Sequence, residues 1–200
     1  MHRKEVKELA KQSIKGNWLI IFVGILIYSA IAAAVSTLTG GIGALLLSSI
    51  LLIALTRFIV EGYKRGTYEI GDMFTKLDEG LTNRIVLSFL KSIYLFLWSL
   101  LFVIPGIIKS YSYLLAEYIS MKHPEKTATE CIDESRLLMD GHKFEIFLFE
   151  LSFLGWNLLA ACTFGLLYIW LVPYMQQARV LYIDKNLYNI IDDNTIEVLD

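Results

Sequence analysis

Four ionisable residues stand inside or at the edge of apolar runs, and any chemistry would have to begin with them. Lys91 follows Arg84 by seven positions, and Glu150 follows Lys143 by the same interval. Both basic residues belong to polar loops, so Lys91 and Glu150 enter the apolar layer to a similar depth. Their opposite charges predict an ion pair between the third and fifth apolar spans. The plainer alternative is a Lys91 that snorkels back to the interface. Glu117 and Arg179 form a second candidate pair, near the inner ends of the fourth and sixth spans. A charge at membrane depth is costly unless paired, so such residues mark either a structural staple or a functional site. Lys109, with Tyr111 and Tyr113 close behind it, is a candidate contact for a lipid phosphate or a substrate.

The catalytic arrangements are missing. No HExxH, GxSxG or phosphate loop occurs, and Gly40-Gly41-Ile42-Gly43 lacks the lysine that a phosphate loop needs. His2, His123 and His142 are scattered, so neither a metal site nor another cofactor is expected. An aspartyl-type intramembrane enzyme needs two deep carboxylates on opposed helices, and Glu150 has no such partner. The chain reads as a non-enzyme. Cys131 and Cys162 fall on opposite sides in the topology below, which predicts two free thiols. No basic patch with interleaved aromatics points to nucleic acid.

The elements that must hold these residues are apolar helices. The chain is 56% apolar and 19% charged, with a mean hydropathy of +0.54. Soluble chains run near 45–50% apolar and about 25% charged. The excess is gathered into runs close to the ~20 residues that cross a hydrocarbon core. The expected spans are 18–38, 42–60, 85–103, 107–121, 144–162 and 166–183, and together they give an all-α polytopic bundle of about six. Pro105-Gly106 is expected to break the third from the fourth, and Pro173 to kink the sixth. The fourth, at fifteen residues and roughly 22 Å, is either a tilted short span or a re-entrant half-helix. Residues 1–16 form a basic amphipathic segment on the cytoplasmic side. Residues 17–183 are the membrane domain, and 184–200 a loose acidic cytoplasmic tail. Residues 127–140 carry a helical apolar pattern ending at Gly141, and form a cytoplasmic amphipathic helix that includes Ser135 and Arg136. Lysine and arginine are absent from the three proposed outer turns, which places both termini inside. The first span should remain as an anchor rather than be cleaved. Ala30 and Ala34 offer a small-residue surface for close helix approach. Leu87-Ser88-Phe89-Leu90 recurs as Leu151-Ser152-Phe153-Leu154, a faint sign of hairpin repeats.

The stretch 104–175 carries a resemblance. IPGIIKSYSY at 104–113 is followed by Glu117, then by Glu130, Ser135, Arg136, Leu138 and Gly141, then by SFLGW at 152–156 and LVPYM at 171–175. This resembles the domain-of-unknown-function 975 family of bacterial integral membrane proteins, commonest in Gram-positive bacteria. It is also similar to the membrane domain attached to some glycerophosphodiester phosphodiesterases. The resemblance implies a helical membrane bundle in the cell membrane. It carries over no catalytic residue, because the phosphodiesterase chemistry resides in a separate soluble domain.

These readings point to a multi-pass factor that binds membrane lipids, a peptide or a partner membrane protein in the envelope. The alternative is a small transporter or flippase subunit, with its pathway through spans three to six. Charges that exchange partners between two states would favour the alternative.

Overall fold

A computed structural model of the chain describes residues 3–101, 103–163 and 165–188. The described residues are helical and contain no strand. Three stretches are long and apolar enough to cross a membrane: Trp18–Leu38, Leu45–Arg65 and Lys143–Cys162.

Helix α1 (Arg3–Ile14) is amphipathic, as its spacing predicts, and buries Val6 and Ala10 completely. It packs along α10 (Tyr168–Tyr182) rather than on a membrane surface alone. Helices α2 (Trp18–Leu38) and α3 (Ile42–Arg65) form an antiparallel hairpin around the uncharged turn at Thr39–Gly41. Their close approach is at Gly24, where a Cβ would sit 2.7 Å from the Phe58 ring. Ala30 and Ala34, the expected contact, are exposed.

After a short 3-10 turn (Ile70–Met73), α4 (Leu81–Leu101) and α5 (Val103–Ser112) make a second hairpin. Lys109 stands 4.5 Å over the Trp98 ring, and the rings of Tyr94 and Tyr113 lie 6.0 Å apart. The return continues through α6 (Ala116–Lys122), and Asn83 near the start of α4 donates to the Lys126 carbonyl at 3.2 Å. Residues 103–126 therefore retrace the length of α4. The break between the third and fourth expected spans comes just ahead of Pro105-Gly106, where α4 ends at Leu101 and α5 begins at Val103. The proline and the glycine sit in the first turns of α5, where a proline loses no intrahelical bond. The interruption that matters falls between Ser112 and Ala116.

Helix α7 (Ala128–Leu138) begins with a capping box. Thr127 Oγ1 accepts from the Glu130 backbone N–H, and Glu130 Oε2 accepts from the Thr127 N–H at 2.7 Å. These bonds hold the Glu130 carboxyl below its ordinary range. Gly141, with φ at +80°, supplies the left-handed turn that ends this region. The predicted apolar face is the buried one: Ala128, Cys131, Ile132, Ser135 and Met139. It packs against α4 and α6, and burial pushes the Cys131 thiol up to about 11.

Helices α8 (Lys143–Leu151) and α9 (Leu154–Cys162) meet at Ser152-Phe153. Pro173 stands inside α10, and a π-turn (Ile183–Tyr188) follows. This turn corrects the expectation of a loose tail from 184. Tyr118 donates to the Asp184 carboxylate, Lys185 donates to Tyr63 at 2.8 Å, and Leu187 is fully buried. The remainder of the expected tail, 189–200, lies outside the described residues.

Two placements depart from the map drawn from charges. On that map Lys109, one turn past the outer Pro105-Gly106, lies on the outer side, and Arg136 and Lys143 lie on the inner side. All three line one opening, with Asp133 and Asp140 among them. The reason is that α7 does not stay level with Lys126. It runs beside α4 and α6 until Ser135 reaches Ser112 at the end of α5. The second departure concerns the sixth span. Trp170 stacks on Trp18 at 4.2 Å, while Lys185 reaches Tyr63. Trp18 and Tyr63 belong to the same end of the α2–α3 hairpin, where Asn17 also bonds the Gly66 carbonyl. Helix α10 thus lies across that end rather than running the hairpin's height.

Candidate functional site

The break between α5 and α6 creates the site. Backbone groups freed at a helix interruption need partners when buried. Ser135 of α7 supplies both. Its hydroxyl donates to the Ser112 carbonyl at 2.9 Å and accepts from the Leu115 N–H at 3.1 Å, with no exposure at all. The restart of the helix at Ala116 then projects Glu117 toward α3 and α4.

Glu117 meets Lys91. The Nζ to Oε1 distance is 2.5 Å, and the side chains are only 18% and 7% exposed, lysine first. Ser49 of α3 also reaches Oε1, at 3.4 Å, and its own N–H donates to Ser88 of α4 at 2.9 Å. Glu117 Oε2 is buried and has no hydrogen-bond partner among the described residues. Such an atom is expensive in a low-dielectric interior.

Glu150 is satisfied at both oxygens. Oε2 accepts from the Tyr111 hydroxyl at 2.7 Å, and Oε1 pairs with Arg179 at 3.2 Å. This pair is more open, with Arg179 and Glu150 side chains 41% and 32% exposed.

The structure therefore gathers all four sequence candidates into one place and exchanges their partners. Lys91 pairs with Glu117 rather than Glu150, and Arg179 pairs with Glu150 rather than Glu117. The expected pairing rested on the equal spacing of Lys91 and Glu150 from their basic neighbours. That spacing carries no information about azimuth, and it is the return of α6 beside α4 that brings Glu117 to Lys91.

Both pairs line a single cavity of about 280 Å³. Leu52, Leu55, Val180 and Ile183 supply apolar wall, and Tyr111 and Gln176 add polar atoms. The exposed Arg179–Glu150 pair lies toward the open side, and Lys91–Glu117 lies deeper. The four charges sum to zero. The arrangement can hold a polar, charge-balanced group against an apolar lining. Nothing in it resembles a nucleophile with a base, and no group of three metal-ligating side chains forms among the described residues.

The remaining candidates separate. Tyr111 belongs to this cavity. Tyr113 is buried against Tyr94, as core. Lys109 stands at the mixed-charge opening with Arg136 and Lys143, where Arg136 pairs with Asp133 at 3.0 Å. Ser135 holds the helix break, a role hidden from the sequence because its partners are backbone atoms 20 and 23 residues away. Ser49 faces α4 and α6, through Ser88 and Glu117.

An all-helical protein with three membrane-length apolar rods and a charge-balanced internal cavity is thus the class that fold and site define. Residues 100–188 match the family described as "Protein of unknown function (DUF975)". The matched segment contains Glu117, Ser135, Glu150 and Arg179, while Lys91 and Ser49 come from the part that precedes it. Comparison with curated proteins and with solved structures found no match.

Proposed function

We propose that this is a multi-pass protein of the cell membrane that binds an amphipathic ligand, and that it acts without catalysis. Basic residues flanking α2 favour a cytoplasmic N-terminus, and the packing of the 183–188 turn beside Tyr63 favours a C-terminus on the same side. The single observation that carries the binding reading is the cavity. Two ion pairs line it beside leucine, valine and isoleucine walls, which suits a ligand with a polar head and an apolar body. Lipid, peptide and partner-protein ligands all meet that description. Native mass spectrometry after gentle extraction tests it. The wild type should retain a bound lipid or polypeptide that Glu117→Gln loses. A protein that emerges bare in both forms would count against binding.

A transport role is the second reading. Its support is that all four charges line one cavity, so each base has two acids within the same space and partner exchange needs side-chain motion alone. Reconstituted protein should then move a fluorescent phospholipid between leaflets faster than empty vesicles do, and Glu150→Gln should slow it.

A further inference from the structure

We infer that the opening between α5, α7 and the start of α8 binds the phosphate of an anionic phospholipid, with an acyl chain of that lipid lying in the apolar groove beside it. The opening shares no lining residue with the four-charge cavity, so this is a second site.

Three cations from three helices line an opening of about 430 Å³: Lys109 of α5, Arg136 of α7 and Lys143 of α8. Two acids, Asp133 and Asp140, line it with them, which leaves one positive charge in excess. Each acid is taken by the base three residues on, Asp133 by Arg136 at 3.0 Å and Asp140 by Lys143 at 3.5 Å. Lys109 is half-buried and has no acid partner among the described residues. Its ammonium instead stands 4.5 Å over the Trp98 ring, which holds it in place and leaves its donors unused. Like charges brought together beside apolar surface repel, and an anion between them removes the repulsion.

The two existing ion pairs do not compete strongly for that place. The Asp133 and Asp140 side chains are 66% and 86% exposed, and pairs so open to solvent are weak. Arg136 engages Asp133 through one nitrogen, and a guanidinium has five donors in a planar fork suited to phosphate oxygens. A phosphodiester head with one net negative charge balances the excess. A zwitterionic head would bring a fourth cation to the three already there.

Lys143 decides what kind of phosphate fits. It also lines a groove of about 290 Å³ whose other residues are Ile107, Ile108, Tyr111, Phe144 and Phe147. The two isoleucines and two phenylalanines are exposed, and the phenylalanine rings stack with centroids 6.1 Å apart. A phosphate held by Lys143 therefore has an apolar channel starting at its side. A soluble phosphate would leave that channel unused, whereas a lipid fills both parts, as basic pockets between membrane helices do with acidic head groups.

Purified full-length protein exchanged into nanodiscs of phosphatidylcholine, containing either phosphatidylglycerol or phosphatidylethanolamine, gives the test, with retained lipid counted by native mass spectrometry. Phosphatidylglycerol should be retained about tenfold more strongly than either zwitterionic lipid, the scale of one charge-assisted hydrogen bond. Lys109→Gln should remove that preference. If Lys109→Gln does not fold, Arg136→Gln at an exposed position carries the same readout. Asp140→Asn frees Lys143 and should raise phosphatidylglycerol retention about twofold, a gain that misfolding cannot produce. Glycerol 3-phosphate at millimolar levels should not displace the lipid, because it lacks the chain. Equal retention of the three lipids, a preference that survives both Lys109→Gln and Arg136→Gln, or a loss of retention with Asp140→Asn overturns the inference. Displacement by glycerol 3-phosphate also overturns it, in favour of a soluble phosphate. Glu117→Gln should leave the preference intact. A preference that disappears there and persists in Lys109→Gln would place the lipid in the four-charge cavity, and would overturn this inference while supporting the binding reading above.

Discussion

The α2–α3 and α4–α6 hairpins have similar length and opposite character. In α2–α3, two unbroken helices touch at a glycine, and α2 is apolar around most of its circumference. Such a hairpin suits a medium that is uniform on every side. In α4–α6 the returning strand of the hairpin is interrupted, and the interruption is held by a serine from a third helix. One side of α4 exposes Val86, Phe89, Ile93, Phe96 and Leu100, while another presents Lys91 and Ser88 to the interior. The difference teaches where a site can arise. A continuous helix leaves no backbone group free in its interior, and the buried charge that α3 carries, Arg57, finds its partner in a loop, at the Thr75 carbonyl. A broken one forces neighbours to supply polar partners, and those partners can hold a buried acid.

The comparison breaks most readily at Lys91. Lys91→Met should destabilise the protein by about 3–5 kcal/mol, because it strands Glu117 in the interior. The double variant Lys91→Met/Glu117→Gln should recover most of that loss. Unfolding in mixed micelles measures both, and additive effects would show that the two residues do not interact. The next effect is at the break. Ser135→Ala leaves the Ser112 carbonyl and the Leu115 N–H buried without partners and should cost about 2–3 kcal/mol. Ser135→Thr, which keeps the hydroxyl, should cost less if the side chain's bonds matter more than its volume. On the α2–α3 side, Gly24→Ala places a Cβ against the buried Phe58 ring, and a loss of about 1–2 kcal/mol is expected. Restoration by Phe58→Leu in the same background would localise the strain to that contact. Glu150→Gln should cost under about 1 kcal/mol, since the side chains of its pair with Arg179 are 32% and 41% exposed. An effect as large as that of Lys91→Met would mean that the two pairs are equally buried. The smallest disturbance is a chemical one. Cys131, with its thiol pushed up to about 11, should resist alkylation at pH 8 in the folded protein and react once detergent unfolds it. Rapid labelling in the folded state would show α7 loosened from α4.

Much of the architecture could be read along the chain. The limits of α2 follow from Trp18 and the Thr39-Gly40-Gly41 turn, and the apolar face of α7 follows from the spacing of Ala128, Cys131, Ile132 and Ser135. The start near Thr127 and the stop at Gly141 follow from the same pattern. The errors share one cause. Lys109 was set apart from Arg136 and Lys143, and α10 was given a full crossing, because each basic residue was assigned to a side by its own loop. Packing overrode that rule twice: α7 follows α4 instead of resting at the surface, and α10 lies against α1 with Trp170 on Trp18.

Helix, cap and apolar face are decided by residues within a turn or two of one another, so the sequence alone determined them, together with the four charges that matter. Which acid meets which base was decided only in three dimensions. Pairing depends on the rotation of each helix about its axis and on its slide past its neighbours. Those quantities are set by contacts such as Gly24 on Phe58, Ser49 on Ser88 and Ser135 on Ser112, between residues dozens of positions apart. A linear pattern records the height of Lys91, Glu117, Glu150 and Arg179 along their helices, and the folded bundle alone supplies the angle.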